Sequence, residues 1–163
     1  MLPRRVKIIE VGPRDGLQNE IKLLPTDLKV QFINDLRQSG LENIELTSFV
    51  RAEKIPQLGD SKLVIEKIIK NNNIDLGKCP VLVPNMKGLE AAKSVGVKKV
   101  ALFTATSEEF NKKNINCTID QSLKNLIDVS KDCHKNKISI RAYISTVFGC
   151  PYEGRETSGD IEK

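Results

Sequence analysis

The sequence predicts an α/β chain built on a parallel sheet, and three observations carry that reading. Five short apolar runs, rich in β-branched residues, alternate with amphipathic helical stretches along the 163 residues. Successive strands joined by helical crossovers run parallel, because a tight hairpin never intervenes. The candidate polar groups collect just past the carboxyl ends of the strands: Arg14 and Asp15, Thr47 and Ser48, Asn85, Thr104 and Thr106. Parallel α/β folds carry their sites on that edge.

The elements follow in order. Val6 to Gly12 (VKIIEVG) reads as a buried strand that ends in the Gly-Pro of GPRDG. Thr26 is expected to cap a helix with Leu28, Phe32, Ile33 and Leu36 on one face, and Gly40 follows where a left-handed cap is wanted. Asn43 to Phe49 (NIELTSF) is the second strand. A helix from about Asp60 to Lys70 presents Val64, Ile65, Ile68 and Ile69. Pro80 to Val83 is a short third strand. Met86 to Val95 is a helix stopped by Gly96, and Lys99 to Ala105 is the fourth strand. Thr118 and Gln121 have the spacing of a capping box, opening a helix with the stripe Ile119, Leu123, Leu126, Ile127 and Cys133. Ile138 to Val147 is the fifth strand.

Composition narrows the function. Hydrophobic residues make up 39% and charged residues 29%, which excludes a disordered or collagen-like chain. No apolar run approaches the roughly 18 to 20 residues of a membrane span. With 4% aromatics and no Trp, base stacking has little to work with, so no nucleic-acid partner is expected. The start MLPRRVKIIEVG lacks the long apolar region of a signal peptide, and the cytoplasm is the expected compartment. The net charge of +5 reads chiefly as a solvated lysine-rich surface; by charge alone Lys98, Lys99, Lys112 and Lys113 are candidates for steering a polyanionic ligand.

Cysteine usage points the same way. Cys79, Cys117, Cys133 and Cys150 form no C-x-x-C pair, and no disulfide framework is needed. Cys133 and His134 are neighbours on a predicted helix and point about 100° apart, so a packed thiol beside a surface imidazole is expected there. A single histidine excludes a two-His metal site within the chain.

Alternation and site placement alone leave two architectures open: an open doubly wound sheet and a (β/α)₈ barrel. No G-x-G-x-x-G or P-loop follows any strand. The loop GPRDGLQNE sets Arg14 against Asp15, a pair that serves as an ordinary ion pair or, chemically, as a cation ligand beside a guanidinium for a developing oxyanion.

RVKIIEVGPRDGLQNE, IELTSFV, PQLGD, KKNINC and GCPYEG, in this order and spacing, make the chain resemble the hydroxymethylglutaryl-CoA lyases from Arg5 to about Gly154. RDG alone is shared with the wider family of metal-dependent lyases and Claisen-condensing enzymes; the longer strings are more specific. The resemblance implies a (β/α)₈ TIM barrel and a metal-assisted cleavage of (S)-3-hydroxy-3-methylglutaryl-CoA to acetyl-CoA and acetoacetate, a step of leucine breakdown and ketone-body formation. It implies Asp15 as a ligand of Mg²⁺ or Mn²⁺, Arg14 as the enolate-stabilising cation, and Glu45 in the active-site polar network. Gln18, Ser48 and Arg141 fall on family-like motifs as substrate-lining residues. Cys150 is not the family's catalytic cysteine, which lies in a later glycine-rich loop, and a structural role is expected for it. The substrate partner implied is an acyl-CoA, and the full-length family member is implied to be a homodimer.

A complete barrel takes typically about 250 residues. The chain is therefore expected to supply about the first five βα units of one catalytic domain across 1–163, with 155–163 a poorly ordered tail. The family's H-x-H pair, asparagine ligand and catalytic cysteine loop have no counterpart here, so little or no activity is expected of these residues alone. Two other readings stand beside this one: a condensing acyltransferase of the homocitrate- or isopropylmalate-synthase kind, and a non-catalytic half-barrel that needs a partner.

Overall fold

Parallel pairing runs through the chain in sequence order. The computed structural model describes residues 3–71 and 74–154, and the tail expected at 155–163 lies outside them. Three strands form the regular sheet, in the order β1 (Val81–Leu82), β2 (Lys99–Ala105), β3 (Ser139–Ser145), all parallel. Two further segments extend it by single parallel bridges, Glu10 to Ile44 and Ser48 to Leu82. Successive segments are thus spatial neighbours throughout. Among the described strands the order never reverses, and a doubly wound sheet requires such a reversal.

Helices α1 (Thr26–Gln38), α2 (Ser61–Lys70), α3 (Met86–Ser94), α4 (Glu108–Ile115) and α5 (Ile119–Lys135) fill the connections. One core joins them to the sheet: Ile33 of α1, Ile65 of α2, Leu89 of α3 and Val100 of β2 are fully buried in it, with Ile44 and Val83. At about 25 cal/mol per Å² of apolar surface removed from water, that shared layer is the main force holding helices to strands.

Several local readings hold. Gly40 and Gly96 adopt positive φ, 99° and 79°, just past α1 and α3. The Thr118 capping box forms in full, and the Asn85 side chain caps α3 by accepting from Gly88 N. The fourth strand has the expected bounds.

Others need correction. The stretch 3–8 is exposed, Val6 at 76% and Ile8 at 71%, so the buried first strand reduces to one bridge at Glu10. Its outer side has no neighbouring strand among the described residues, which leaves its apolar residues bare. The second strand keeps its hydrogen bonds, Glu45 N to Glu10 O at 2.7 Å and Phe49 N to Leu82 O at 2.8 Å, but not enough consecutive pairs for a ladder. Thr26 is not the cap of α1: Pro25 holds that position, and the Thr26 hydroxyl donates instead to Asp60. Asp60 also takes the buried Lys29 ammonium at 2.6 Å, tying α1 to the start of α2. On α1 Leu28 is half-exposed, and Val30 takes the buried place beside Ile33. On α5 the buried positions are Ser122, Val129 and Cys133, while Leu123 and Ile127 are exposed. Helix α4 is unpredicted; Ser107 starts it by accepting from Phe110 N. The five-residue GPRDG loop is a π-helical turn, Gly12–Gly16.

Candidate active site

Arg14 is the hub. The π-helical turn begins at the end of the first segment, where Arg14 and Asp15 both donate backbone N–H to Val11 O, at 3.0 and 2.7 Å. The turn swings the Arg14 side chain across to the second segment, where its Nε donates to Glu45 Oε1, while Nη1 meets Asp15 Oδ1 at 2.5 Å. Glu45 is wholly buried, and its second oxygen accepts from the Tyr143 hydroxyl at 2.5 Å. Both carboxylate oxygens of Glu45 are therefore engaged, which is what an ionised carboxylate away from water requires. Burial, then the hydrogen bond and charge of Glu45, push the Tyr143 phenol up to about 12.

Three segments far apart in sequence thus converge: residues 14–15, 45 and 143. Arg141 joins at one remove, its guanidinium 4.8 Å from the Tyr143 ring. The structure does not link Gln18 or Ser48 to this cluster by a hydrogen bond. Gln18 is half-buried on the turn that follows Asp15. Ser48 is fully buried, and its hydroxyl has no partner among the described residues. Tyr143 is the residue that the motifs missed. Its signal was present, because it lies two residues past Arg141 on one strand and so shares its face.

The Arg14 guanidinium carries five N–H groups and uses two here, leaving three for an anionic oxygen. Asp15 is half-exposed, with one oxygen on Arg14 and the other unbonded among the described residues. That oxygen suits a hard divalent cation as a single ligand. No group of three His, Cys, Asp or Glu side chains among the described residues is placed to complete a metal cage.

The remaining candidates lie elsewhere. Cys133 is buried and His134 exposed, as a packed thiol beside a surface imidazole. Cys150 lies 2.9 Å from Ser107 Oγ in the GCPYEG loop; burial works to raise its thiol, and hydrogen bonds from Ser107 and the N–H groups of Tyr152 and Glu153 outweigh this and lower it. Of the four lysines, Lys98 and Lys112 are exposed, Lys113 covers the Tyr152 ring at 3.7 Å, and Lys99 is half-buried. No helix among the described residues is long and apolar enough to cross a membrane.

Comparison with known proteins gives the family. The hydroxymethylglutaryl-CoA lyase of Homo sapiens, named as mitochondrial, is 49% identical over 154 residues, 94% of this chain and 46% of the relative. The crystal structure of the lyase from Bacillus subtilis superposes with a TM-score of 0.89 at 43% identity, over 98% of this chain and 52% of that one. A lyase from Acinetobacter baumannii, solved with coenzyme A and 3-methylmalate, gives 0.86 at 32% identity, over 94% of this chain and 49% of that one. The chain thus spans about half the length of the relatives it matches. The HMGL-like family model runs over residues 5–162, taking in the Arg14 turn, Glu45 and the β3 strand together, and the chain belongs to that family.

Proposed function

We propose that this chain supplies the arginine-bearing part of a carbon–carbon lyase centre, on a (β/α)₈ barrel of which it forms the first five βα units in a single domain. The substrate is (S)-3-hydroxy-3-methylglutaryl-CoA, and the products are acetyl-CoA and acetoacetate. The observation that carries this is the Arg14 guanidinium, fixed from two sides by Glu45 and Asp15 while keeping N–H groups free.

In the cleavage, a base takes the proton of the tertiary hydroxyl, that oxygen becomes a ketone, and the adjacent carbon–carbon bond breaks. Its electron pair passes to the thioester as an enolate, and protonation at carbon gives acetyl-CoA. Arg14 meets the enolate oxygen with a planar, forked set of charged donors. Glu45 acts by holding Arg14, since both of its oxygens are already engaged, and Tyr143 holds Glu45 in turn. Asp15 would hold the divalent cation, Mg²⁺ or Mn²⁺, which supplies Lewis acidity to substrate oxygens. Gln18, on the turn after Asp15, would face the substrate, Ser48 would support the segment that carries Glu45 from its buried position, and Arg141 stands against Tyr143. The acid that protonates the enolate and the other metal ligands lie outside this chain, so the purified 163 residues turn over little or no substrate.

A condensing acyltransferase shares RDG, but the names of the relatives favour cleavage. The homodimer that the resemblance implies for the full-length family member and a cytoplasmic location are further parts of the proposal. The human relative is named mitochondrial, and cell fractionation decides the compartment.

The test is a fusion of residues 1–163 to the later half of the human relative, assayed with added Mn²⁺ for acetoacetate release. Activity is expected, and Arg14→Gln in the fusion should lower kcat about 10²- to 10³-fold, the effect of losing one preorganised donor to a developing oxyanion. An inactive fusion that is well folded, or an Arg14→Gln variant as active as its parent, overturns the proposal.

A further inference from the structure

The cluster around Arg14 makes no use of PQLGD, or of the serine that follows it. Residues Pro56–Leu58 form a short 3₁₀ turn that leads through Gly59 and Asp60 into α2. The turn is fixed from two sides. Ser61 Oγ donates to Ser48 O at 2.6 Å and lies 2.9 Å from the Thr47 hydroxyl, which ties the turn to the segment that carries Glu45. Asp60 accepts from Thr26 on one oxygen and from the buried Lys29 ammonium on the other, each at 2.6 Å, which ties it to α1. Lys29 also donates to the Gln57 carbonyl at 2.5 Å. A buried ammonium needs such partners, and here they fix the backbone of Gln57 itself.

From that fixed backbone the Gln57 side chain reaches towards the site, and its Nε2 donates to Glu20 O at 2.7 Å. Glu20 belongs to the loop 17–24, which follows Asp15 directly and includes Gln18. Ile21 is 96% and Leu23 63% exposed, so packing does not hold this loop. Among the described residues, the Gln57 bond is the only hydrogen bond between 17–24 and an element distant in sequence. Inside the loop, Glu20 N donates to Leu17 O at 3.2 Å, and Asn19 Nδ2 donates to Asp15 O at 2.8 Å. A constraint on the Glu20 carbonyl therefore passes back to the turn that carries Asp15.

We infer that Gln57 is a positioning residue for the lyase reaction: it holds the loop after Asp15 so that Gln18 faces the substrate, and Lys29 and Asp60 hold Gln57. The inference rests on the lyase reading above. One turn thereby links the two segments whose side chains meet at the site, gripping the Glu45 segment through Ser61 and the Arg14 loop through Gln57. Gln57 touches no reacting atom. It acts on Gln18 and not on the guanidinium, which Glu45 and Asp15 already fix, so its effect falls on substrate affinity more than on the chemical step. A brace between α1 and α2 alone would need Lys29 and Asp60 but not the half-exposed Gln57 side chain.

The test has two arms. In the 163-residue chain, amide hydrogen exchange is read at Asn19 and Glu20, whose N–H groups are bonded inside the loop. Gln57→Glu keeps the shape and removes the donor; it should speed exchange at both amides about fivefold to tenfold, as the loss of one hydrogen bond does. The urea midpoint should stay where it is, and Gln57→Arg, which keeps a donor, should restore slow exchange. In the fusion to the later half of the human relative, Gln57→Glu should raise KM by more than it lowers kcat, the reverse of Arg14→Gln. Unchanged exchange in Gln57→Glu overturns the inference, and so does an unmoved KM or a fall in kcat that exceeds the rise in KM. If the fusion has no activity, the lyase reading falls; faster exchange in Gln57→Glu then still supports Gln57 as the anchor of the loop, and unchanged exchange overturns that too.

Discussion

Strands β2 and β3 lie side by side in register over seven residue pairs and carry the same alternation, yet they differ in burial. On β2, Val100 is 0% and Leu102 2% exposed; on β3, Ile140 and Ile144 stand half in water. Alternation specifies that a segment is a strand and which side chains share a face. What covers that face is decided by the elements packed against it. Helices α4 and α5 pack against β2, and no element among the described residues covers the far half of β3.

The sharpest way to break this comparison is to truncate one residue on each strand. Leu102→Ala should lower the unfolding free energy by about 3 kcal/mol, as a methyl-rich core site losing most of its side chain does. Ile144→Ala should change it by no more than about 0.5 kcal/mol. Urea denaturation of the two variants measures both. A large loss at Ile144 in the free chain would mean that the face is already covered, and the difference between the strands would disappear.

The inward side gives the next largest effect. Arg14→Leu leaves the Glu45 carboxylate wholly buried without its cation, at a cost on the order of 3 kcal/mol. Adding Glu45→Gln should recover much of that loss, because no charge then remains to be compensated. A double-mutant cycle by denaturation checks the coupling; additive losses would show that the two side chains do not depend on each other.

Much of this was legible in the residues. The fourth strand, the Thr118 capping box and the glycines after α1 and α3 are local signals, set by side-chain chemistry within four residues. Arg14, Asp15 and Glu45 were found through motif strings. Their convergence is a property of the sheet order, which no short window contains. The errors share one cause. Val6, Ile8, Leu123 and Ile127 read as buried because they are apolar and periodic, and each is exposed among the described residues. Helix α4 is hard to see in the residues because EEFNKKNI is polar and short; only the Ser107 cap, three residues before Phe110, announces it. Tyr143 escaped because an isolated aromatic in a strand reads as packing until its hydroxyl finds Glu45.

Tyr143 sharpens the contrast between the two faces of β3 themselves, since the inward one is partly satisfied. Its phenol titrates at about 12 in the fold, against about 10 in an unfolded chain. The folded state holds that proton more tightly, so the stability it contributes is complete below about pH 10 and is lost as pH rises towards 12. Tyr143→Phe should remove the late step from an ultraviolet phenolate titration and lower stability at neutral pH by about 1.5 kcal/mol. A late step that survives in the variant would break the link to Glu45.

The smallest effect concerns α5, the helix that serves both strands. Thr118 accepts from Gln121 N and the Gln121 side chain accepts from Thr118 N, so two donors of the first turn are satisfied reciprocally. Thr118→Ala removes half of that exchange and should cost about 1 kcal/mol. The loss should be the same in the free chain and in the fusion, because the cap lies at the start of α5 and its bonds stay within the first turn. Ile144→Ala, by contrast, should cost more in the fusion than in the free chain. Equal behaviour of the two substitutions in both settings, measured by thermal denaturation, would mean that the β3 face gains no cover there.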